Sequence, residues 1–348
     1  MRHTVRPAIV LAIFGLLIGG LFRYVFDEAS EASATNYVRS ALEGAALTMI
    51  VWGTHVFLTA RGGGWLRRQP LIVELIARSV IMAMVVAVAT MALEVILYGH
   101  GIEAKWIGES FPKIIGITLS LSIPITMIYE LIRMIGGRTL LNVMLGRYRR
   151  PVREQRVLLF LDLVGSTTLA EKMGELRVQE LLTRFFSDID EAIVSHGGEV
   201  HAYVGDEVIV TWPVLAGQPS PRCLDCVFAI EERLAHRADY YRKEFGVVPA
   251  FRAGIHAGPV VVSECGNSRR QIAYFGDTVN VTARLQGHCK EAGRPLLVSG
   301  ELQRLLAADR RLAIEALGST QLRGRSAPIE VFAVSRHPAA STHRQASS

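Results

Sequence analysis

The first 222 residues contain no cysteine, and the whole chain holds only four, Cys223, Cys226, Cys265 and Cys289. A disulfide framework is thereby excluded, and the half that carries them reads as lying in a reducing, cytosolic compartment. Cys223 and Cys226 form a C-x-x-C, but no second pair and no histidine cluster stands at zinc spacing, so a structural metal or redox centre is disfavoured. No G-x-x-x-x-G-K-[S/T] occurs, which removes the P-loop NTPases. The net charge is +6, but no basic stripe is interleaved with aromatics outside the membrane-proximal arginines, and nucleic acid is excluded as a partner. Long apolar runs are missing beyond residue 137, although four precede it.

Those four runs, at about 7–26, 41–60, 75–98 and 114–136, stand in a chain of 348 residues of which 50% are hydrophobic. At roughly 150 residues per domain the length predicts two units. Each run is near the roughly 20 residues that a bilayer-crossing helix needs. Arg2 and Arg6 precede the first, Arg61, Arg67 and Arg68 separate the second from the third, and Arg138, Arg147, Arg149, Arg150 and Arg153 follow the fourth. The other loops carry Asp27, Glu28 and Glu31, then mixed charge around 99–113. The positive-inside rule then gives a multi-pass protein of the inner or plasma membrane with both termini in the cytoplasm. A cleaved signal peptide ending near Ala32-Ser33-Ala34 is the rival for the first run, weakened by the long acidic gap before that site. Gly15 and Gly19 form a G-x-x-x-G that either packs two copies of the first helix together or simply faces lipid. Glu74 and Arg78, one turn apart, predict a local ion pair. His55, Glu43 and Glu94 are candidates for sensing within the membrane, and the stimulus is unidentified.

Residues 137–155 read as a linker, with Leu140, Leu141, Met144 and Leu145 at helical spacing and Pro151 as the expected stop. It is either a passive tether or a rigid, dimer-forming connector. From Arg156 strands and helices alternate, in an order near βαββαβ, predicting an α+β, ferredoxin-like palm with helices on one face of an antiparallel-rich sheet. The expected helices include one over about 221–245 and one over 277–291, and the tail from 337 to 348 reads as disordered.

Within this half, EVHAYVGDEVIV (199–210) reads as a tight hairpin with its turn at Gly205-Asp206. A buried strand, RVLLFLDL, ends on Asp162. In a βαββαβ sheet that strand lies beside the hairpin, so Asp162 and Asp206 converge, and two carboxylates at neighbouring strand ends suit hard divalent cations. Glu207 reads as a bystander. Gly165, Ser166 and Thr167 open the following helix and offer backbone N–H groups to phosphates. The combination predicts a nucleotide–metal site arranged for two-metal displacement at phosphorus.

LFLDLVGSTTLAEKMG, YVGDEVIVTW, FRAGIHAGPVV and FGDTVNVTARL, in that order, resemble the catalytic domain of the class III nucleotidyl cyclases, over about residues 150–336. The resemblance implies a homodimeric enzyme, with two composite sites at the subunit interface, that makes a cyclic nucleotide and pyrophosphate from a nucleoside triphosphate. It implies that Asp162, Asp206 and the Leu163 carbonyl hold two Mg2+ or Mn2+ ions per site. Asn280 would orient the ribose and Arg284 would stabilise the transition state, and their spacing of four places both on one helix face. Arg323 or Arg325 falls where the family sets a basic residue on the terminal phosphates. Purine choice would fall to positions 202 and 273, where the family's Lys and its Asp or Thr are replaced by Ala202 and Ala273. His201, Arg269, Arg270 and Gln271 stand near enough to substitute.

The domains expected are therefore a four-span membrane region at 1–136, the linker at 137–155, a cyclase domain at 156–336 and the tail. The leading expectation is a membrane-anchored adenylate cyclase acting on ATP, with a guanylate cyclase second. A membrane receptor whose cyclase-like domain has lost catalysis is the alternative from another class, kept open by the alanine pair and opposed by the intact Asp162, Asp206, Asn280 and Arg284. A diguanylate cyclase is excluded because YVGDEV lacks that family's paired glycines.

Overall fold

A computed structural model describes residues 2–26, 33–60, 69–98, 104–214, 222–268, 270–306, 311–321 and 328–336. They fall into two compact units, 1–135 and 136–348. The predicted tail and both Arg323 and Arg325 lie outside the described residues.

In the first unit, helices α1 (Arg2–Phe26), α2 (Ala34–Ala60), α3 (Leu71–Tyr98) and α4 (Ala104–Ile135) occupy the four apolar runs, each packed on its neighbour in the chain. Among the described residues two segments, Ala34–Leu58 and Ile72–Leu97, are long and apolar enough to cross a membrane, with mean hydropathies of 1.4 and 2.6. Gly15 and Gly19 do not wait for a second copy of α1 or for lipid. They seat α2 of the same chain: a Cβ on Gly15 would lie 2.6 Å from the Gly44 carbonyl oxygen, and one on Gly19 would run into the Ser40 backbone. Small residues on both helices bring the two backbones into contact there. Glu74 and Arg78 form the expected ion pair, with both side chains buried.

The second unit begins with α5 (Gly137–Met144), which ends well before Pro151. Gly146, at φ 67°, closes it. Its N–H donates to Val143 O at 3.0 Å and that of Arg147 to Asn142 O at 2.9 Å, the paired bonds of a Schellman cap. The stop is thus a glycine in the left-handed region, and Pro151 merely precedes the first strand.

That strand, β1 (Val152–Leu163), is followed by α6 (Ser166–Met173), α7 (Glu175–Ser195), β2 (Glu199–Val204), β3 (Glu207–Pro213), α8 (Arg222–His236) and α9 (Ala238–Phe245). Then come β4 (Phe251–Cys265), β5 (Gln271–Phe275), α10 (Asp277–Ala292), β6 (Leu296–Ser299), α11 (Gly300–Leu306), β7 (Leu312–Thr320) and β8 (Ile329–Arg336). The strands order as β2-β3-β1-β4-β6-β8-β7, with β5 paired to β4. β1 lies between β3 and β4, antiparallel to both, as the βαββαβ reading requires. The helix expected over 221–245 is two helices, because the chain turns at Arg237, where the Nη1 and the Tyr241 hydroxyl of α9 reach the buried Asp188 of α7 at 2.6 and 2.8 Å.

Alternation along β1 divides the sheet. Val157, Leu159, Leu161 and Leu163 join the main core with α7 and α8. Arg156, Leu158, Phe160 and Asp162 therefore face the other side. Helices cover both faces, not one: α10 lays Val281, Leu285 and Cys289 on Leu297, Val331 and Ala333 across the second side. β6 shows why, since Leu296 and Val298 serve the first core and Leu297 the second, so both its faces are apolar.

Candidate functional site

Asp162 closes β1 with Glu207 opposite it on β3 and Arg252 opposite it on β4. The chain then leaves the sheet through a short turn, in which Leu163 N–H donates to Asp206 O at 3.2 Å and Val164 N–H to Ala250 O at 2.8 Å. Gly165, at φ 74°, reverses the backbone so that α6 can begin at Ser166. The Ser166 hydroxyl donates to the Asp206 carboxylate across the turn. Asp206 sits beside Gly205, at φ 63°, in the two-residue hairpin turn that the alternation around it predicts. Asp162 and Asp206 thus meet, their carboxyl groups near enough for each to act on the other's proton.

Burial, then the Asp206 charge, pushes Asp162 up to about 6, against hydrogen bonding from Gln286 and the charge of Arg252. Burial, then Asp162 and Asp206, pushes Glu207 up to about 7. Like charges crowded in a half-buried place favour a shared proton, and a hard cation removes the same repulsion. The donor set, carboxylate oxygens with the Leu163 carbonyl alongside, therefore fits Mg2+ or Mn2+. Among the described residues no group of three or more His, Cys, Asp or Glu side chains forms a complete cage, so the remaining ligands would come from substrate and water. The first turn of α6 carries no acidic residue, and no side chain caps it, which leaves the N–H groups at Ser166 and Thr167 open to an anion.

Asn280 and Arg284 lie on α10, one exposed and one half-buried, away from its buried Val281, Leu285 and Cys289. Neither makes a hydrogen bond or ion pair among the described residues. The fold thus brings Asp162, Leu163, Asp206 and Ser166 together within one chain, while Asn280 and Arg284 face outward.

The positions expected to choose the purine are Ala202, opposite Ile209 on β3, and Ala273, opposite Ser263 on β4. Both are half-buried. His201 and Tyr274, their immediate neighbours, place their rings 4.4 Å apart. Of the other candidate readers, Arg270 pairs with Glu264 at 3.1 Å and Arg269 lies outside the described residues.

Gln286 and Arg252 near the carboxylates escaped the sequence reading, and Glu207 was set aside in it. Glu207 lies on the Asp162 face, and alternation held the signal: Val208, Val210 and Trp212 enter the helical core, which leaves Glu207 on the other side. Gln286 reaches Asp162 because α10 settles on Gly254 of β4, where a Cβ would lie 2.9 Å from the Gln286 Cα. Arg252 stands opposite Asp162 through a register that no local pattern announces.

Residues 151–335 match the family model for the Adenylate and Guanylate cyclase catalytic domain. Adenylate cyclase 2 of Rhizobium meliloti (strain 1021) is 39% identical over 216 residues, 62% of this chain and 60% of that protein. Adenylate cyclase 1 of the same organism is 30% identical over 191 residues, 53% of this chain and 28% of that protein. The chain thus spans less than two thirds of the length of either relative. A solved bacterial light-regulated adenylyl cyclase shares the fold, with a TM-score of 0.53 at 22% identity over 62% of each chain. With more than half of its length matched in this way, the chain belongs to the adenylate and guanylate cyclase catalytic-domain family.

Proposed function

We propose that this protein is a membrane-anchored adenylate cyclase that converts ATP to 3′,5′-cyclic AMP and pyrophosphate at composite sites between two copies of the chain. The observation that carries the reading is the meeting of the Asp162 and Asp206 carboxylates beside the uncapped start of α6. The two relatives reported above, both adenylate cyclases by name, support ATP as the substrate.

Asp162, Asp206 and the Leu163 carbonyl would hold the cations, and Ser166 steadies the Asp206 carboxylate for that task. Two bound divalent cations would draw charge from the triphosphate and acidify the ribose 3′-hydroxyl. The N–H groups at Gly165, Ser166 and Thr167 bind phosphate oxygens. The 3′-oxygen forms a bond to the α-phosphorus, its proton passes to solvent, and the bond from that phosphorus to pyrophosphate breaks. Asn280 fixes the ribose, and Arg284 forks onto the phosphoryl oxygens as their charge grows. Arg323 or Arg325 would meet the terminal phosphates. Since Asn280 and Arg284 lie off the buried side of α10, each copy would lend them to the site whose cations its partner holds.

The anchoring half rests on α2 and α3, and on exposed Ile72, Ile76, Val88 and Ile96 along α3. Four spans would place both termini and the cyclase domain in the cytoplasm, with 137–155 as the connector and an unidentified stimulus acting at the membrane region. A guanylate cyclase is the second reading, left open by Ala202 and Ala273, which offer no side-chain hydrogen bond to either purine. The test is incubation of the full chain in membranes with Mn2+ and ATP or GTP, followed by chromatography of the products. Cyclic AMP that is lost in Asp162→Ala supports the proposal, cyclic GMP supports the second reading, and neither product from the folded protein refutes both.

A further inference from the structure

β2 does not run smoothly past the base-binding positions. Its pairing with β3 slips between Val200 and Ala202, leaving His201 as the extra residue of a β-bulge. Val200 pairs with Val210 and packs toward the α7–α8 core, while Ala202 pairs with Ile209 on the opposite face. A regular strand would turn residues 201 and 202 to opposite faces. The bulge re-aims His201. Its imidazole rests on Tyr274 at a centroid distance of 4.4 Å and an interplanar angle of 49°. Tyr274 packs with Leu158, Val260 and Val262, on the side of the sheet opposite the α7–α8 core. The two positions reduced to methyl groups are thus each next to an aromatic ring, and those rings touch.

Tyr274 is held from behind. The Arg156 guanidinium stands 5.7 Å from its ring centroid. Thr211 hydrogen-bonds the Tyr274 hydroxyl and accepts from Arg156 Nη1 at 3.3 Å. Arg156 is only 3% exposed. Its Nε and Nη2 fork onto Glu154 Oε2 at 3.0 and 2.8 Å, and Nη2 reaches the buried Tyr148 hydroxyl at 3.4 Å. By contrast, neither ring nitrogen of His201 has a hydrogen-bond partner among the described residues.

We propose that His201 reads the purine edge in this chain, with Tyr274 setting the plane of its ring and Arg156 acting as the positioning residue for Tyr274. The proposal rests on the cyclase reading and on positions 202 and 273 marking the base pocket. Burial and the Arg156 charge hold His201 below the usual histidine range, which favours the neutral ring with one acceptor and one donor nitrogen. With its acceptor toward the base and its N–H turned away, the ring suits the exocyclic amine of adenine and opposes the carbonyl oxygen that guanine carries in its place.

The test measures kcat/KM for ATP and for GTP on the full chain with Mn2+, for the wild type, His201→Phe and Arg156→Lys. His201→Phe is expected to lower kcat/KM for ATP about tenfold through KM, the worth of one hydrogen bond, with little change for GTP. Arg156→Lys keeps the charge and loses the fork, so its ATP-to-GTP ratio falls less, again through KM, with kcat retained. Should the phenylalanine variant fail to fold, His201→Ala, which only removes atoms, carries the same readout. An active wild type whose ratio is unchanged in His201→Phe or His201→Ala overturns the proposal. A wild type inactive on both nucleotides overturns the cyclase reading beneath it.

Discussion

Replacing Gly254 with alanine tests how the fold sets the site. Gly254 of β4 lies under α10, and an added Cβ would run into the Gln286 amide and lie 2.9 Å from Gln286 Cα and Leu285 C. Carbon atoms settle at about 3.5–4.0 Å, so α10 must retreat by roughly 0.6–1 Å. Overpacking of this kind costs about 1–3 kcal/mol. For a unit of this size that corresponds to a fall of about 3–9 °C in the midpoint of heat inactivation. The same shift carries Asn280, Arg284 and Gln286 with it, and misplacement near 1 Å costs about a hundredfold in rate. The assay is kcat at saturating Mn2+ and ATP, with residual activity after heating. Gly287 on the same helix provides the control: a Cβ there meets nothing within 4 Å, so Gly287→Ala keeps its kcat. A Gly254→Ala protein with unchanged kcat and unchanged heat inactivation would show that α10 is not seated as described.

The carboxylates predict a pH dependence. Asp162 and Glu207 are raised from 3.8 and 4.5 to about 6 and about 7, so the metal-free fold binds their protons more tightly than the unfolded chain does. Their contribution to stability is present below the unfolded values and is lost as pH rises through about 6 to 7. Thermal unfolding midpoints in EDTA, read by circular dichroism, should therefore fall between pH 5 and 7.5 (roughly the span of those two titrations), Mn2+ should restore the upper end, and Asp162→Asn should flatten the EDTA curve. An EDTA curve as steep in Asp162→Asn as in the wild type would reject that assignment. Away from the site, Asp188→Leu strips Arg184, Arg237 and the Tyr241 hydroxyl of their shared acceptor and should destabilise the fold by about 2–3 kcal/mol, read by heat inactivation. An unchanged midpoint would mean that α9 is not held through Asp188.

What the sequence shows well is what local chemistry determines. Alternation around Gly205-Asp206 marks the hairpin, and the buried strand before Gly165 delivers Asp162 beside it, because both depend on residues within a few positions. The spacing of Asn280 and Arg284 places them on one face for the same reason. Contacts set by packing at a distance were less visible. Gly15 and Gly19 show where a backbone approaches closely, not which helix approaches. Leu297 looks like its neighbours until α10 is known to lie over it. Gly146 and Pro151 both stop helices, and only the two capping hydrogen bonds decide between them. Glu207 was legible, since three apolar residues alternate with it, but adjacency to Asp206 obscured the fact that adjacent strand residues face opposite ways. His201 inverts that rule through a bulge, which no pattern in 199–210 reveals.

The most direct test of the account mixes two inactive proteins. Asp162→Ala keeps Asn280 and Arg284 but cannot hold cations, and Arg284→Ala keeps the carboxylates but lacks the guanidinium. Coexpressed in equal amounts, half of the dimers are mixed and each mixed dimer has one intact composite site, so about a quarter of wild-type cyclic AMP production should return. Copurifying chains that remain as inactive together as apart would contradict the account.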